Sequence, residues 1–243
     1  MTEDGESPDS DYDSHRDPAR TRRVYDEIAT HFSTTRAYPW PEVTEFLDRV
    51  NTLPNRRVGL DIGCGNGRHT EPLADVVERT VGLDISRELL FEAQTAMESG
   101  DGSDWEAALV QADSAALPFV DGSVDVGVYV ATLHHLPDRK RRVESLRELA
   151  RVLSSTGEAL VSAWSTEHDR FENRADDEGF DTTIDWTLPG GETVPRFYHI
   201  YAPEEFEADL RRSGLTVESS VVSSGNCYAV VSDGTNGKTL KSE

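Results

Sequence analysis

The chain has 243 residues, 46 acidic against 24 basic, and a formal charge of −22 at neutral pH. Hydrophobic residues make up only 36% of it, yet they gather into discrete runs, which excludes wholesale disorder and predicts one packed core with polar ends. The longest apolar run, Val124 to Leu133, is about half a bilayer span, and Cys64 and Cys227 stand far apart, so a membrane helix, a disulfide framework and a zinc site are excluded.

From the start of the chain, residues 1–20 carry seven acidic side chains and few apolar ones, the composition of a disordered acidic tail. No basic leader or apolar stretch follows Met1, so a cytoplasmic location is expected. Residues 21–231 form the expected domain. Arg57–Ile62, Thr80–Ile85, Ala107–Ala112, Val124–Val130 and Ala159–Trp164 are β-branched or apolar runs bounded by turn residues, which predicts strands. Helix patterns fill the gaps. Ser86 caps one with Leu89, Leu90, Ala93 and Met97, and Asp138 opens another with Val143, Leu146, Leu149, Ala150 and Leu153. The acidic stretch Glu167–Asp185, within about 167–195, predicts an insertion loop or lid. Pro203–Ser213 predicts a helix ended by Gly214. Thr216–Val222 and Cys227–Ser232 then predict a hairpin around Ser-Ser-Gly-Asn, before a frayed polar end at 232–243. The expected class is α/β: a Rossmann-like three-layer sandwich with a mostly parallel seven-stranded sheet and a C-terminal antiparallel hairpin.

Only Lys140, Lys238 and Lys241 are lysines among the basic residues, and arginine with heavy Asp and Glu usage is the bias of a halophilic proteome. At molar salt the Debye length is roughly 3 Å, so the net charge does not exclude an anionic partner.

The first expected strand runs Val58-Gly59-Leu60-Asp61-Ile62 into Gly63-Cys64-Gly65-Asn66-Gly67. Alternate glycines let the backbone turn sharply and approach a ligand at the carboxyl edge of the sheet. A dinucleotide fingerprint needs glycine where Arg68 stands, which excludes the NAD reading. The pattern Asp-x-Gly-x-Gly-x-Gly instead resembles motif I of class I S-adenosylmethionine-dependent methyltransferases. That resemblance implies S-adenosyl-L-methionine as cofactor, with Tyr25, Asp61, Gly63, Gly65 and Gly67 around it. Asp84 ends the next strand, where a carboxylate takes ribose hydroxyls. Ile85 would sandwich the adenine, with Asp113 and Ser114 near its amino group. A helix cap or surface charge is the alternative for any one of these aspartates. In Leu133-His134-His135-Leu136, consecutive side chains of an extended segment point to opposite sides and no third ligand is near, so one histidine facing the cofactor pocket is expected rather than a metal site.

The segments Val24-Tyr25-Asp26-Glu27-Ile28-Ala29, His31-Phe32-Ser33-x-Thr35-Arg36, Trp40-Pro41 and Arg196-Phe197-Tyr198-His199 resemble the tRNA methyltransferases that esterify 5-carboxymethyluridine at the wobble position. The likeness covers roughly Val24 to Val231. One departure is Asn226-Cys227-Tyr228, where an aromatic is expected before the Tyr. The resemblance implies tRNA as substrate and Arg36, His135, Arg196 and His199 as catalytic candidates, with Trp40 and Tyr198 shaping the nucleoside pocket. A carboxylate with a pKa near 4 needs no general base, only alignment. Surface ion pairs for the arginines and core packing for the aromatics stay open. Arg139, Lys140, Arg141 and Arg142 crowd a helix start, where positive charge opposes the macrodipole. Phosphate contact or salt bridging would explain them, and Arg16, Arg20, Arg22 and Arg23 could add a second phosphate contact from the arm. The family further implies a small zinc-binding activator protein adding strands at the sheet edge near Glu106–Ala112. A small-molecule methyltransferase acting on a quinone, lipid or metabolite, and a non-catalytic subunit, are the alternative functions.

Overall fold

The computed structural model describes residues 18–54, 56–99, 105–172 and 178–234. The acidic tail before Pro18, Arg16 within it, and the polar end after Gly234 lie outside the described residues. Helix α1 (Pro18–Thr35) and helix α2 (Pro41–Val50) precede strand β1 (Val58–Ile62). Then come α3 (Thr70–Ala74), β2 (Arg79–Asp84), α4 (Arg87–Glu98), β3 (Ala108–Gln111) and β4 (Val124–Tyr129). A short 3-10 turn at Leu133–His135 leads to α5 (Arg139–Val152) and β5 (Leu153–Trp164). The chain ends with β6 (Phe180–Thr187), β7 (Thr193–Ile200), α6 (Pro203–Arg212), β8 (Leu215–Ser223) and β9 (Asn226–Asp233).

Seven strands form one sheet in the order β3-β2-β1-β4-β5-β9-β8. The first five run parallel, and β9 pairs antiparallel with both β5 and β8. Side chains alternate between two buried faces, as a sheet covered on both sides requires. Val126, Val128 and Val130 face α2, where Val43, Phe46, Leu47 and Val50 meet them. Ala159, Val161 and Ala163 face the other core with Leu146 and Leu149 of α5. Local chemistry marks the element starts: Ser86 Oγ accepts from Leu89 N, Asp138 Oδ1 accepts from Arg141 N, and α2 and α6 each open on proline. The β8–β9 turn places both Ser224 and Gly225 at positive φ, the two-residue geometry that matches strand twist.

Three expectations change. The acidic tail gives way to helix at Pro18, so Arg20, Arg22 and Arg23 sit on the first two turns of α1 rather than on a mobile arm. The region expected as an insertion loop contains the antiparallel pair β6–β7, registered from Phe180↔Ile200 to Thr187↔Thr193. Its inward Ile184 and Trp186 alternate with outward polar residues, a period-2 pattern that the acidic composition hides. The His134–His135 segment is a 3-10 turn, not extended, so both rings are drawn to one side.

Candidate active site

A cavity of about 370 Å³ opens along the carboxyl ends of β1, β2, β3, β4 and β5, the edge where parallel α/β sheets bind ligands. Its inner half is built by backbone. Gly63 N and Cys64 N both donate to Leu83 O, at 2.7 and 3.0 Å, which folds the loop after β1 over the end of β2. Gly63 has a φ of +73°, and a side chain there would overlap Thr132 of the histidine turn. Asp84 Oδ2 accepts from Gly65 N at 2.9 Å and Oδ1 from Ser86 N at 2.8 Å. Burial lifts the Asp84 carboxyl to about 6 against the pull of those N–H groups. Each oxygen keeps further lone pairs toward the cavity. Ile85, Leu89, Ala112, Asp113 and Ser114 complete this wall.

The outer half is built by side chains from distant segments. Trp186 of β6 donates its indole N–H to His31 Nδ1 at 3.0 Å, and its ring packs with Val24, Ile28 and Val194. The guanidinium carbons of Arg36 and Arg196 lie 5.3 and 4.8 Å from the centre of that ring. Arg68 lies over Trp40 at 5.1 Å, and burial, then the nearby Arg36, lowers it to about 10. Among the described residues, none of these three arginines has a carboxylate within ion-pair distance. Arg196 Nε is enclosed without a partner.

Three imidazoles here are uncharged. Burial holds His134 and His69 well below the usual histidine range and His135 at about 3. His135 Nδ1 meets Phe197 O at 3.0 Å, so it carries the proton, and its Nε2 accepts from Tyr25 O–H at 2.7 Å. Tyr25 O also receives Arg196 Nη1 at 3.4 Å. Ala131, in left-handed conformation at φ 56°, directs this turn and donates its N–H to Ser162 Oγ.

Thirteen of the sequence-derived candidates border the cavity. They are Tyr25, Gly63, Gly65, Asp84, Ile85, Asp113 and Ser114 in the inner half, and Arg36, Trp40, His135, Arg141, Arg196 and Tyr198 toward the outer. Six do not. Asp61 lies beneath the loop, accepting from Thr70 Oγ1 at 2.7 Å, and burial raises it to about 7. Gly67 packs on Trp105, whose ring a Cβ would strike. His199 is not placed for catalysis: its nitrogens meet Asp181 at 2.7 Å and Glu205 at 3.2 Å, tying β7 to β6 and α6. The basic cluster on α5 finds its partners within the protein. Arg139 pairs at 2.7 Å with Asp209, which is fully buried, and Arg142 is buried against Leu136 O and the Tyr201 ring. Arg141 pairs with Asp113, and Lys140 has a 3.7 Å contact to Glu144. Salt bridging thus accounts for Arg139 and Arg141, and a backbone carbonyl and an aromatic ring for Arg142. Each Asp113 oxygen has one donor, Arg141 on Oδ2 and Ala115 N on Oδ1 at 2.8 Å. Sequence reasoning missed Phe32, Arg68, Trp164, His168, Trp186 and Asn226, which also line the cavity. The Ile184-x-Trp186 alternation was the one signal for Trp186. Arg68 was visible only as a missing glycine.

Residues 60–161 match the family described as methyltransferase domain. The chain is 38% identical over 152 residues to the mouse (Mus musculus) tRNA (carboxymethyluridine(34)-5-O)-methyltransferase ALKBH8, covering 60% of this chain and 20% of that protein. It is 32% identical over 215 residues to the tRNA (carboxymethyluridine(34)-5-O)-methyltransferase of Schizosaccharomyces pombe, covering 80% and 88%. Several relatives are longer, and the chain spans between 20% and 58% of their length. In structure it is similar to an S-adenosylmethionine-dependent methyltransferase from Clostridium acetobutylicum, with a TM-score of 0.66 at 17% identity over 86% of this chain and 99% of that one.

Proposed function

The chain belongs to the tRNA (carboxymethyluridine(34)-5-O)-methyltransferase family, and from that premise we propose that it forms the methyl ester of a 5-carboxymethyl group on the wobble uridine of tRNA, with S-adenosylmethionine as donor. The inner half of the cavity fits that donor. Asp84 has lone pairs left for ribose hydroxyls, Ile85 and Leu89 offer an apolar wall to adenine, and Gly65 leaves the loop open. When bound there, S-adenosylmethionine supplies a methyl group on a positively charged sulfur.

One observation carries the acceptor reading. Three guanidinium groups without carboxylate partners among the described residues, Arg36, Arg68 and Arg196, converge on a cavity in which burial keeps His69, His134 and His135 neutral. An amine or hydroxyl acceptor must lose a proton, and His135, with both nitrogens engaged, is a poor base. A carboxylate is ionised already at neutral pH and gives up no proton when it is esterified. The residues therefore orient and dehydrate. Arg36 and Arg196 grip the carboxylate through planar forks, and Trp40 and Tyr198 flank the nucleoside. The volume of about 370 Å³ suits small-molecule binding.

Pairing with a small zinc-binding activator at β3 belongs to the same reading. Its support is that β3 ends the sheet, with β2 as its one strand neighbour among the described residues. Nucleoside mass spectrometry of tRNA from a strain lacking the protein is expected to show loss of the wobble methyl ester. Unchanged tRNA with an altered metabolite would overturn the proposal in favour of a small-molecule acceptor.

A further inference from the structure

The two adjacent histidines are bonded differently. His135 uses both ring nitrogens inside the protein, whereas His134 uses one. Trp164 N–H donates to His134 Nδ1 at 3.1 Å, so the neutral ring carries its proton on Nε2. That Nε2 has no partner among the described residues, and it is not sealed away like the unpartnered Nε of Arg196. The residue itself borders the cavity. Its ring is clamped, with Tyr198 stacked on it at 4.9 Å and 26° and His135 meeting it edge-on at 4.4 Å.

We infer that His134 Nε2–H is a fixed, uncharged donor to one oxygen of the acceptor carboxylate, and that it selects oxyanion acceptors over amines. This rests on the carboxylate reading above. An ionised carboxylate offers about four lone-pair sites on two oxygens, so a bond from His134 to one oxygen leaves the other free to attack. An amine has a single lone pair, and a donor bound to it occupies the electrons that attack requires. The Arg196 guanidinium lies 5.1 Å from the same Tyr198 ring on which His134 stacks, and all three residues border the cavity. Being buried and neutral, the His134 donor does not titrate near neutral pH.

The test uses the full chain labelled with ¹⁵N-histidine, with His134 identified by its loss in His134→Asn. Long-range proton–nitrogen spectra are expected to show the Nε2–H tautomer. The Nε2 signal should move on addition of 5-carboxymethyluridine and stay still with uridine. A shift with both nucleosides means contact with a base carbonyl and overturns the inference. With tRNA as acceptor, His134→Asn keeps an oxygen for Trp164 N–H but its shorter side chain places no donor at the Nε2 position, so kcat should fall at least tenfold while KM for tRNA and donor affinity stay within threefold. His134→Gln restores an amide donor near the Nε2 position and should recover part of the loss. Equal kcat for wild type and His134→Asn overturns the inference alone. A wild-type protein that forms no ester on any tRNA overturns the functional reading with it.

Discussion

The two halves of the cavity are held by different forces. In the inner half, backbone N–H groups of the loop after β1 bond to Leu83 O and to Asp84, so the site follows from how parallel strands end. In the outer half, Arg36 comes from the end of α1, Trp186 and Arg196 from β6 and β7, and Asn226 from the β8–β9 turn. These are held by packing, cation–π contact and single side-chain hydrogen bonds such as Trp186 to His31 and Arg196 to Tyr25. A site set by strand geometry repeats wherever the fold does. A site set by distant side chains is free to change its acceptor.

Substitutions that strike one half and spare the other test this division. The largest effect is expected from Asp84→Ala. Hydrogen bonds to a charged group contribute ~1.5–3 kcal/mol each, so losing two ribose contacts should weaken S-adenosylhomocysteine binding roughly 10²- to 10⁴-fold in calorimetry. Unchanged affinity would break the comparison at its base. Next is Arg196→Lys, which keeps the charge and loses the planar fork. Ester formation should fall about 10- to 100-fold with donor affinity within twofold. An equal loss of donor binding would mean that the halves are one site.

A pH series sharpens the contrast through opposite signs. Asp84 is raised to about 6, so product binding should be flat above pH 7 and weaken as pH falls below 6 and the carboxyl protonates. Fold stability runs the other way. Asp61, raised to about 7, and Asp84 bind more protons folded than unfolded from near pH 4 upward. Their contribution is therefore fully present at low pH and lost as pH rises through 6 to 7. Asp61→Asn should flatten the urea midpoint between pH 5 and 8, a change of at least ~1 kcal/mol. The smallest effect belongs to Lys140→Ala, expected to leave ester formation within twofold. Its neighbour differs. Arg139→Ala leaves Asp209 buried and unpaired and should lower unfolding free energy by about 1–3 kcal/mol, discounted because Arg139 is half exposed.

The parallel sheet and the inner half were legible because their signals are local: apolar runs alternate with capped helices, and three glycines and an aspartate sit at fixed spacing. The outer half was legible only as an outline. Arg36, Trp40, Arg196 and Tyr198 stood out by family likeness, but what they touch depends on residues from other elements, such as Trp186 for Arg36 and His134 for Tyr198. Reading α5 from its own sequence left Arg139 and Arg142 without partners, because Asp209 and Tyr201 arrive from later in the chain. His199 was misjudged for the same reason, since Asp181 and Glu205 meet it from different elements. Asp185 and the acids around it masked the inward rhythm of Ile184 and Trp186.

The contact between Gly63 and Thr132 sets a boundary on how such a protein can diversify. Thr132 Oγ1 reaches Gly63 O at 3.4 Å, and there is no room between them for even a methyl group. A lineage drifting toward a new acceptor could recast the hairpin around Trp186 at will, but at this seam any added bulk would push the glycine loop and the imidazole shelf apart together. Descendants would inherit the two as a joint unit, and innovation would collect on the side of the cavity that the sheet does not hold.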